Sequence, residues 1–386
     1  MYTRRCGVPI LCMLMITVLV QGRVSAEDTP PTHDLQPTMQ ALFQALIQVF
    51  PWSLDAQQFQ APEHRQRIHE ALRLLAEHTS YLETHGQDVP LSFDFLRRTL
   101  ARTAQDAVQR YDQGQDQQAR FAIHQLTEQC FACHSRFTNP RPFDLGKRFL
   151  ATIPLEQLSL RDRMRLAVAT RQFDTALETC EALFRSATIT AAAIDGLGVF
   201  EDYLKIVLRV RHDFPRAIAT LEQFGGRADV PLDLHVRLLS WLEALKEVQP
   251  QGNTGEALTR ARALIETGQR RNRFPADQLG LVHFVVASSL LHRYVDAQAH
   301  TTPALVEAYY LLGVAESYIS RTSWVAETPF FLEMAIRLDP KSPTAAKAYD
   351  LLHAYMVTAY TGSAGLHLPH EVQEYLEELR RLYSGS

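Results

Sequence analysis

Cysteine is scarce in this chain. Five of its 386 residues are Cys, and two of them, Cys6 and Cys12, fall in an N-terminal run set apart below. The three that remain are an odd number, too few for the disulfide framework that staples small exported domains. An excess of charge is missing too. Lys and Arg number 39 against 43 Asp and Glu, for a formal net charge of −4, so no nucleic-acid partner is expected. No segment sustains the period-two alternation of a half-buried strand. Only "VPILCMLMITVLV", residues 8 to 20, stands out as a long apolar run, and no other segment is apolar enough to span a membrane. There is no Ser/His/Asp set, no paired carboxylates and no phosphate-cradling glycine loop, which makes an enzyme the least favoured class.

The apolar run has a context. Arg4 and Arg5 precede it, and "RVSAED" follows with small residues at Ser25 and Ala26. This is the order of a secretory signal, predicted over residues 1 to 26, with an uncleaved anchor as the alternative. Cleavage after Ala26 removes Arg4, Arg5 and Arg23 and takes the formal charge from −4 to −7. The expected mature protein is exported and periplasmic, and its thiols are Cys130, Cys133 and Cys180.

What is there is helical. Beyond a Pro/Thr-rich lead-in, apolar residues recur at helical spacing over residues 38 to 50, stopped by Pro51, and then over 63 to 85, 92 to 114 and 116 to 137. Short breaks between four amphipathic helices predict antiparallel neighbours and an up-and-down four-helix bundle over residues 27 to 140. From 141 to 386 the chain echoes itself in helical pairs. Ala176, Ala217 and Ala257 recur at intervals of 41 and 40 residues, each a few positions after a helix start. The fold class is all-α: a bundle followed by an α-helical repeat array, in which small residues such as Ala176 and Gly313 allow close helix approach.

"QCFACHSRF", residues 129 to 137, carries the chemistry. On a helix Cys130, Cys133 and His134 share one face. Two thiols can add across the vinyl groups of a porphyrin while the adjacent imidazole binds the iron, so the motif predicts one covalently attached haem c with His134 as proximal ligand. A redox pair and a structural zinc site are the rivals. The first usually sits at a helix N-terminus, whereas this pair is near a C-terminus; the second needs four ligands, and no second Cys/His pair stands at suitable spacing.

A lone CxxCH late in the fourth helix, ending in Phe137, resembles the cytochrome c-prime family of class II c-type cytochromes. The likeness covers about residues 35 to 138 and departs at Thr138, where that family often has Arg. Arg136 is read as a solvated side chain, with a haem-propionate partner as the alternative. The last helical pair, "EAYYLLGVAESYIS" and "FLEMAIRLDPKSPTAAKAY", resembles a degenerate tetratricopeptide repeat. The first resemblance implies that the first helix crosses the distal haem face, which makes Met39 a candidate sixth iron ligand, with ordinary bundle core as the competing reading. His64, His69, His78 and His85 are weaker candidates, and His124 shares a helix with His134.

The function expected is electron transfer by an exported monohaem cytochrome, with the repeats docking a redox partner or an assembly. The alternatives are a five-coordinate haem protein that binds or senses NO or CO, and a periplasmic scaffold with an accessory haem; a homodimer through the bundle stays open. Of the remaining features, Cys180 reads as a buried thiol, Trp52 as a cap on the bundle, and the basic run "KIVLRVRHDF", residues 205 to 214, as a solvated face.

Overall fold

Helical periodicity becomes helix almost everywhere. The computed structural model describes residues 35–85, 91–136, 143–248, 257–273, 277–298, 300–319, 327–363 and 365–384. The expected signal segment, Phe137 and Thr138 lie outside the described residues. Among those described, the strands are a two-residue antiparallel pair that sets Thr361 opposite Leu366. No helix among them is long and apolar enough to cross a membrane.

The first helices are α1 (Leu35–Leu54), the short α2 (Ala56–Gln60), α3 (Pro62–His85), α4 (Leu91–Asp112) and α5 (Asp116–His134). Helix α1 packs on α3, α3 on α4, α4 on α5, and α5 returns to α1. Buried Leu42, Leu46, Val49, Phe50, Leu72, Leu75, Ala104, Ile123 and Leu126 fill the space between them. Each large side chain so buried contributes about 1.5–3 kcal/mol.

Pro51 does not stop α1 as its ring predicts; the helix runs one more turn to Leu54. Tertiary anchors hold that turn. Phe50 and Ser53 are buried. Arg120 Nε donates to the Ser53 carbonyl (2.8 Å) and its Nη2 to that of Leu54 (3.3 Å), satisfying carbonyls at the helix end. Asp55 then caps α2 by accepting from the amides of Gln57 and Gln58.

Next come α6 (Asp144–Thr152), α7 (Leu160–Ala169), α8 (Phe173–Phe184), α9 (Ala191–Gly196) and α10 (Val199–Leu204). The last continues as a π-helix over Lys205–Val210. The chain then forms α11 (Phe214–Gly225), α12 (Leu232–Glu247), α13 (Ala257–Arg271), α14 (Leu281–Asp296) and α15 (Pro303–Ile319). It ends with α16 (Thr328–Leu338), α17 (Pro343–Ala359) and α18 (His370–Ser384). From α13 to α18 each helix packs on the next.

The early and late helices are tied together. Helix α7 packs on α5 and α4 touches α14, while Phe95 of α4 stacks on Phe330 of α16 at 5.4 Å between ring centroids. Residues 35 to 386 form one compact unit.

The expected solvated face at residues 205 to 214 is not there. Residues 199 to 210 are all buried, and the basic side chains are matched by acids rather than by water, as burial demands. Arg209 Nη2 donates to Glu316 Oε1 at 2.8 Å, and Lys205 Nζ lies 3.9 Å from Asp202. Cys180 is buried as expected, and Trp52 packs on the His64 ring at 4.0 Å.

Helices α15 and α16 meet at Gly313, where an added Cβ would stand 2.4 Å from Leu332 Cδ2. Leu332 is itself fully buried and has little room to retreat. Gly313→Val is therefore expected to lower stability by about 1–3 kcal/mol through overpacking, read as an earlier urea midpoint at unchanged slope.

Candidate functional site

The site is assembled on the last turns of α5. Cys130, Cys133 and His134 are its closing residues, and Ser135 is the C-cap, its amide bonding the carbonyls of Cys133 and Phe131. All three chemically active side chains therefore project from one face, as their spacing predicts.

Cys130 and Cys133 are free thiols. Burial pushes the Cys130 thiol up to about 12, and the neighbouring Cys133 adds to the effect. Burial also raises Cys133, with the Arg136 cation pulling the other way. The negative end of the α5 macrodipole opposes thiolates here as well. Burial thus favours S–H over the thiolate at both sulfurs. A zinc ion would have to displace both protons, and two thiols with one imidazole are one ligand short of a structural zinc site.

His134 is oriented by a distant segment. Its Nδ1 lies 3.2 Å from the carbonyl oxygen of Val168, at the end of α7. A carbonyl can only accept, so Nδ1 carries the proton and the Nε2 lone pair is left for a metal. Burial lowers the pKa of the ring to about 4, assisted by Arg171, while the Val168 and Ala169 carbonyls oppose it. The imidazole is neutral at pH 7, the ligating form.

Two thiols and a neutral imidazole with one ring nitrogen anchored fit a covalently held haem: Cys130 and Cys133 would supply the S–H groups that thioether formation consumes, and His134 Nε2 would be the nitrogen offered to its iron. The same set fits zinc poorly.

Met39 is partly buried against the core. Its height on the bundle follows from the pairing of α1 with α5. The Phe50 and His124 rings pack at 5.4 Å and Arg120 bonds the Ser53 carbonyl, so the two helices run antiparallel. Met39 lies 14 residues before Ser53, and His134 lies 14 after Arg120. At 1.5 Å per residue each stretch is about 21 Å, which sets Met39 level with His134.

Three of the other candidate histidines are engaged elsewhere. His69 pairs with Asp112 at 3.1 Å with nearly half its side chain exposed. His64 lies 3.0 Å from Gln58 Oε1. His124 stands 3.3 Å from Ser53 Oγ, well back along α5. The His85 side chain lies outside what is described.

Arg136 corrects an expectation. It is wholly buried rather than solvated, in an ion pair with Glu327, and its guanidinium sits over the rings of Phe93 (5.6 Å) and Phe331 (5.5 Å). Lys205 lies over Phe131, inside the motif, at 5.9 Å. Glu128 on α5 pairs with Arg165 of α7, which in turn approaches Asp202 at 3.5 Å. A layer of compensated charges thus backs the motif.

The residues missed by sequence reasoning are Val168, Arg171 and this charged layer. No local signal marks them, because their partners are remote in the chain. A second buried grouping joins His292, Glu316 and Glu327, whose ligand atoms lie within 4.8 Å of one another. Arg209 already pairs with Glu316 and Arg136 with Glu327, so two cations neutralise the charge a metal ion would need.

Comparison of the chain with protein families, with characterised proteins and with solved structures yields no match, so the chemistry of the site rests on its own residues.

Proposed function

We propose that the protein is an exported monohaem c-type cytochrome that carries electrons. In this reading α1, α3, α4 and α5 are a four-helix haem domain like that of the cytochrome c-prime family. The later helices are degenerate tetratricopeptide-like pairs that dock a redox partner or hold an assembly. The supporting observation is the site geometry: Val168 holds the proton on Nδ1 of His134, and the free thiols of Cys130 and Cys133 stand on the same helix face.

A bound haem supplies a one-electron iron couple. The chain's own residues divide the remaining tasks. Cys130 and Cys133 fasten the porphyrin edge, so that it is not lost outside the cytoplasm. His134 presents Nε2, and the helix end at Val168 prevents its ring from turning. Helix α7 packs on α5 and covers the His134 side of the motif. Met39, level with His134, is the candidate second iron ligand, and its thioether would raise the reduction potential of a bound haem.

The absorption spectrum of the reduced protein tests the electron-carrier reading. Added CO is expected to leave it unchanged, whereas Met39→Leu is expected to open the iron and make it CO-sensitive. A strong CO response in the unaltered protein would instead favour the five-coordinate, gas-binding alternative. A Met39→Leu spectrum identical with the original would remove Met39 from the coordination scheme.

A further inference from the structure

Helix α14 carries a histidine that the fold leaves without a hydrogen bond. His283 is 1% exposed, and neither of its ring nitrogens has a hydrogen-bond partner among the described residues. A buried polar group left unsatisfied is costly and calls for a reason. The backbone here has no room to carry the ring out to water. Helices α13 and α14 approach closely at Gly268, where an added Cβ would stand 2.9 Å from the ring of Phe284. Phe284 is in turn stacked on Tyr318 of α15 at 4.2 Å.

What faces His283 is a clamp between α12 and α13. Arg271 donates from Nη1 to Glu243 Oε2 at 2.7 Å, and from Nη2 to Glu247 Oε1 and Oε2 at 3.3 and 3.2 Å. His283 Nε2 lies 3.8 Å from that same Glu247 Oε2. On the same two helices Lys246 bonds Glu222 and Arg270 bonds Thr267. Arg209 of the π-helix and Glu316 of α15 meet further along α14, beside Ser288 and His292. Glu201 of α10 is bonded by Gln278, ahead of the helix, and Arg97 and Arg98 of α4 pair with Asp94. A neutral His283 leaves the clamp intact. A proton on Nε2 would draw Glu247 away from Arg271 and set two cations side by side in a space closed to water.

We propose that His283 is a proton-operated latch on the junction of α12, α13 and α14: neutral, it lets Arg271 join the two neighbouring helices, and protonated, it breaks that clamp and releases the junction. The direction with pH follows from burial, which lowers the pKa of the ring to about 4; Arg271 acts the same way and Glu243 opposes it. An opened, hydrated ring takes up its proton at the ordinary value, about 6.5. The closed junction is therefore fully stable above that value and loses stability as pH falls from there towards the folded one. The latch uses no residue of the haem motif, so it stands or falls separately from the electron-carrier reading.

Native-state hydrogen exchange on the full chain, corrected for the intrinsic pH dependence of amide exchange, reads the opening. The opening constant of amides in α12, α13 and α14 is expected to rise about tenfold per pH unit as pH falls from about 6.5 to about 5. His283→Gln, which stays polar but takes up no proton, and His283→Leu are each expected to hold that constant level. A level constant in the unaltered protein, or the same rise in a folded variant, would overturn the latch. Should neither variant fold, the unaltered protein decides the matter. Ring 15N NMR is expected to show folded His283 neutral down to about pH 5, which with the exchange slope sustains the latch. A folded ring that charges near the ordinary imidazole value of about 6.5 would overturn it.

Discussion

Replacing both Cys130 and Cys133 by Ala is expected to abolish covalently held haem while leaving a folded protein. The two thiols are the anchoring atoms of the proposed site, and both are free. Cys130 is buried and Cys133 only partly so, so the double change removes two sulfur atoms and leaves a small cavity. The cost to folding is a modest part of the about 2–5 kcal/mol typical of large core truncations. In-gel haem peroxidase staining after denaturation should therefore fall to background in the double variant. Each single variant should keep a weaker band through its one thioether. A double variant that still stains would show that the haem is fastened elsewhere; one that loses helical circular dichroism would point to a structural role for the pair.

The second large effect lies away from the motif, in the ion pair of Arg209 with Glu316. Both side chains are almost wholly buried. Ser288 also donates to Glu316, at 2.6 Å, and His292 stands 3.8 Å from it. Burial alone would raise the Glu316 carboxyl, yet Arg209, His292 and Ser288 together hold it well below the usual carboxylate range. Removing one partner strands a charge in the core, so Arg209→Met is expected to cost about 3–5 kcal/mol. Adding Glu316→Leu should recover much of that loss, because a buried pair replaced by apolar groups is often near neutral. Urea unfolding of the single and double variants gives the coupling. Additive losses would mean that the two groups do not share an environment. The sign with pH follows from the depressed carboxyl: its stabilisation is present above the unfolded-state pKa and is lost as pH falls through the folded one.

Local physics made the helices legible. The period of Leu42, Phe43, Leu46 and Phe50, and of the stretches that follow, predicts α1, α3, α4 and α5 within a few residues of their observed limits. The recurrence of Ala176 and Ala217 anticipates α8 and α11, where both residues are fully buried. The motif's place at the end of α5 was readable for the same reason.

What was not readable depends on long-range pairing. Arg136 looks like a surface residue until Glu327, 191 positions away, folds against it. Arg209 finds its acid 107 positions on, which turns an expected solvated face into a buried helix. Pro51 is overridden by Arg120, 67 positions away, which caps the turn that the proline weakens. The acceptor for His134 comes from Val168, 34 residues later and beyond the expected domain boundary near residue 140. The proximal side of the candidate site is therefore built by both segments of the chain.

The most direct test of the central claim is the intact mass of the denatured protein, purified from a host able to mature c-type cytochromes. The account predicts a mature chain heavier by the mass of one haem, with the added mass mapping to the peptide that contains Cys130 and Cys133. A denatured chain at its unmodified mass, with both cysteines still open to alkylation, would contradict it.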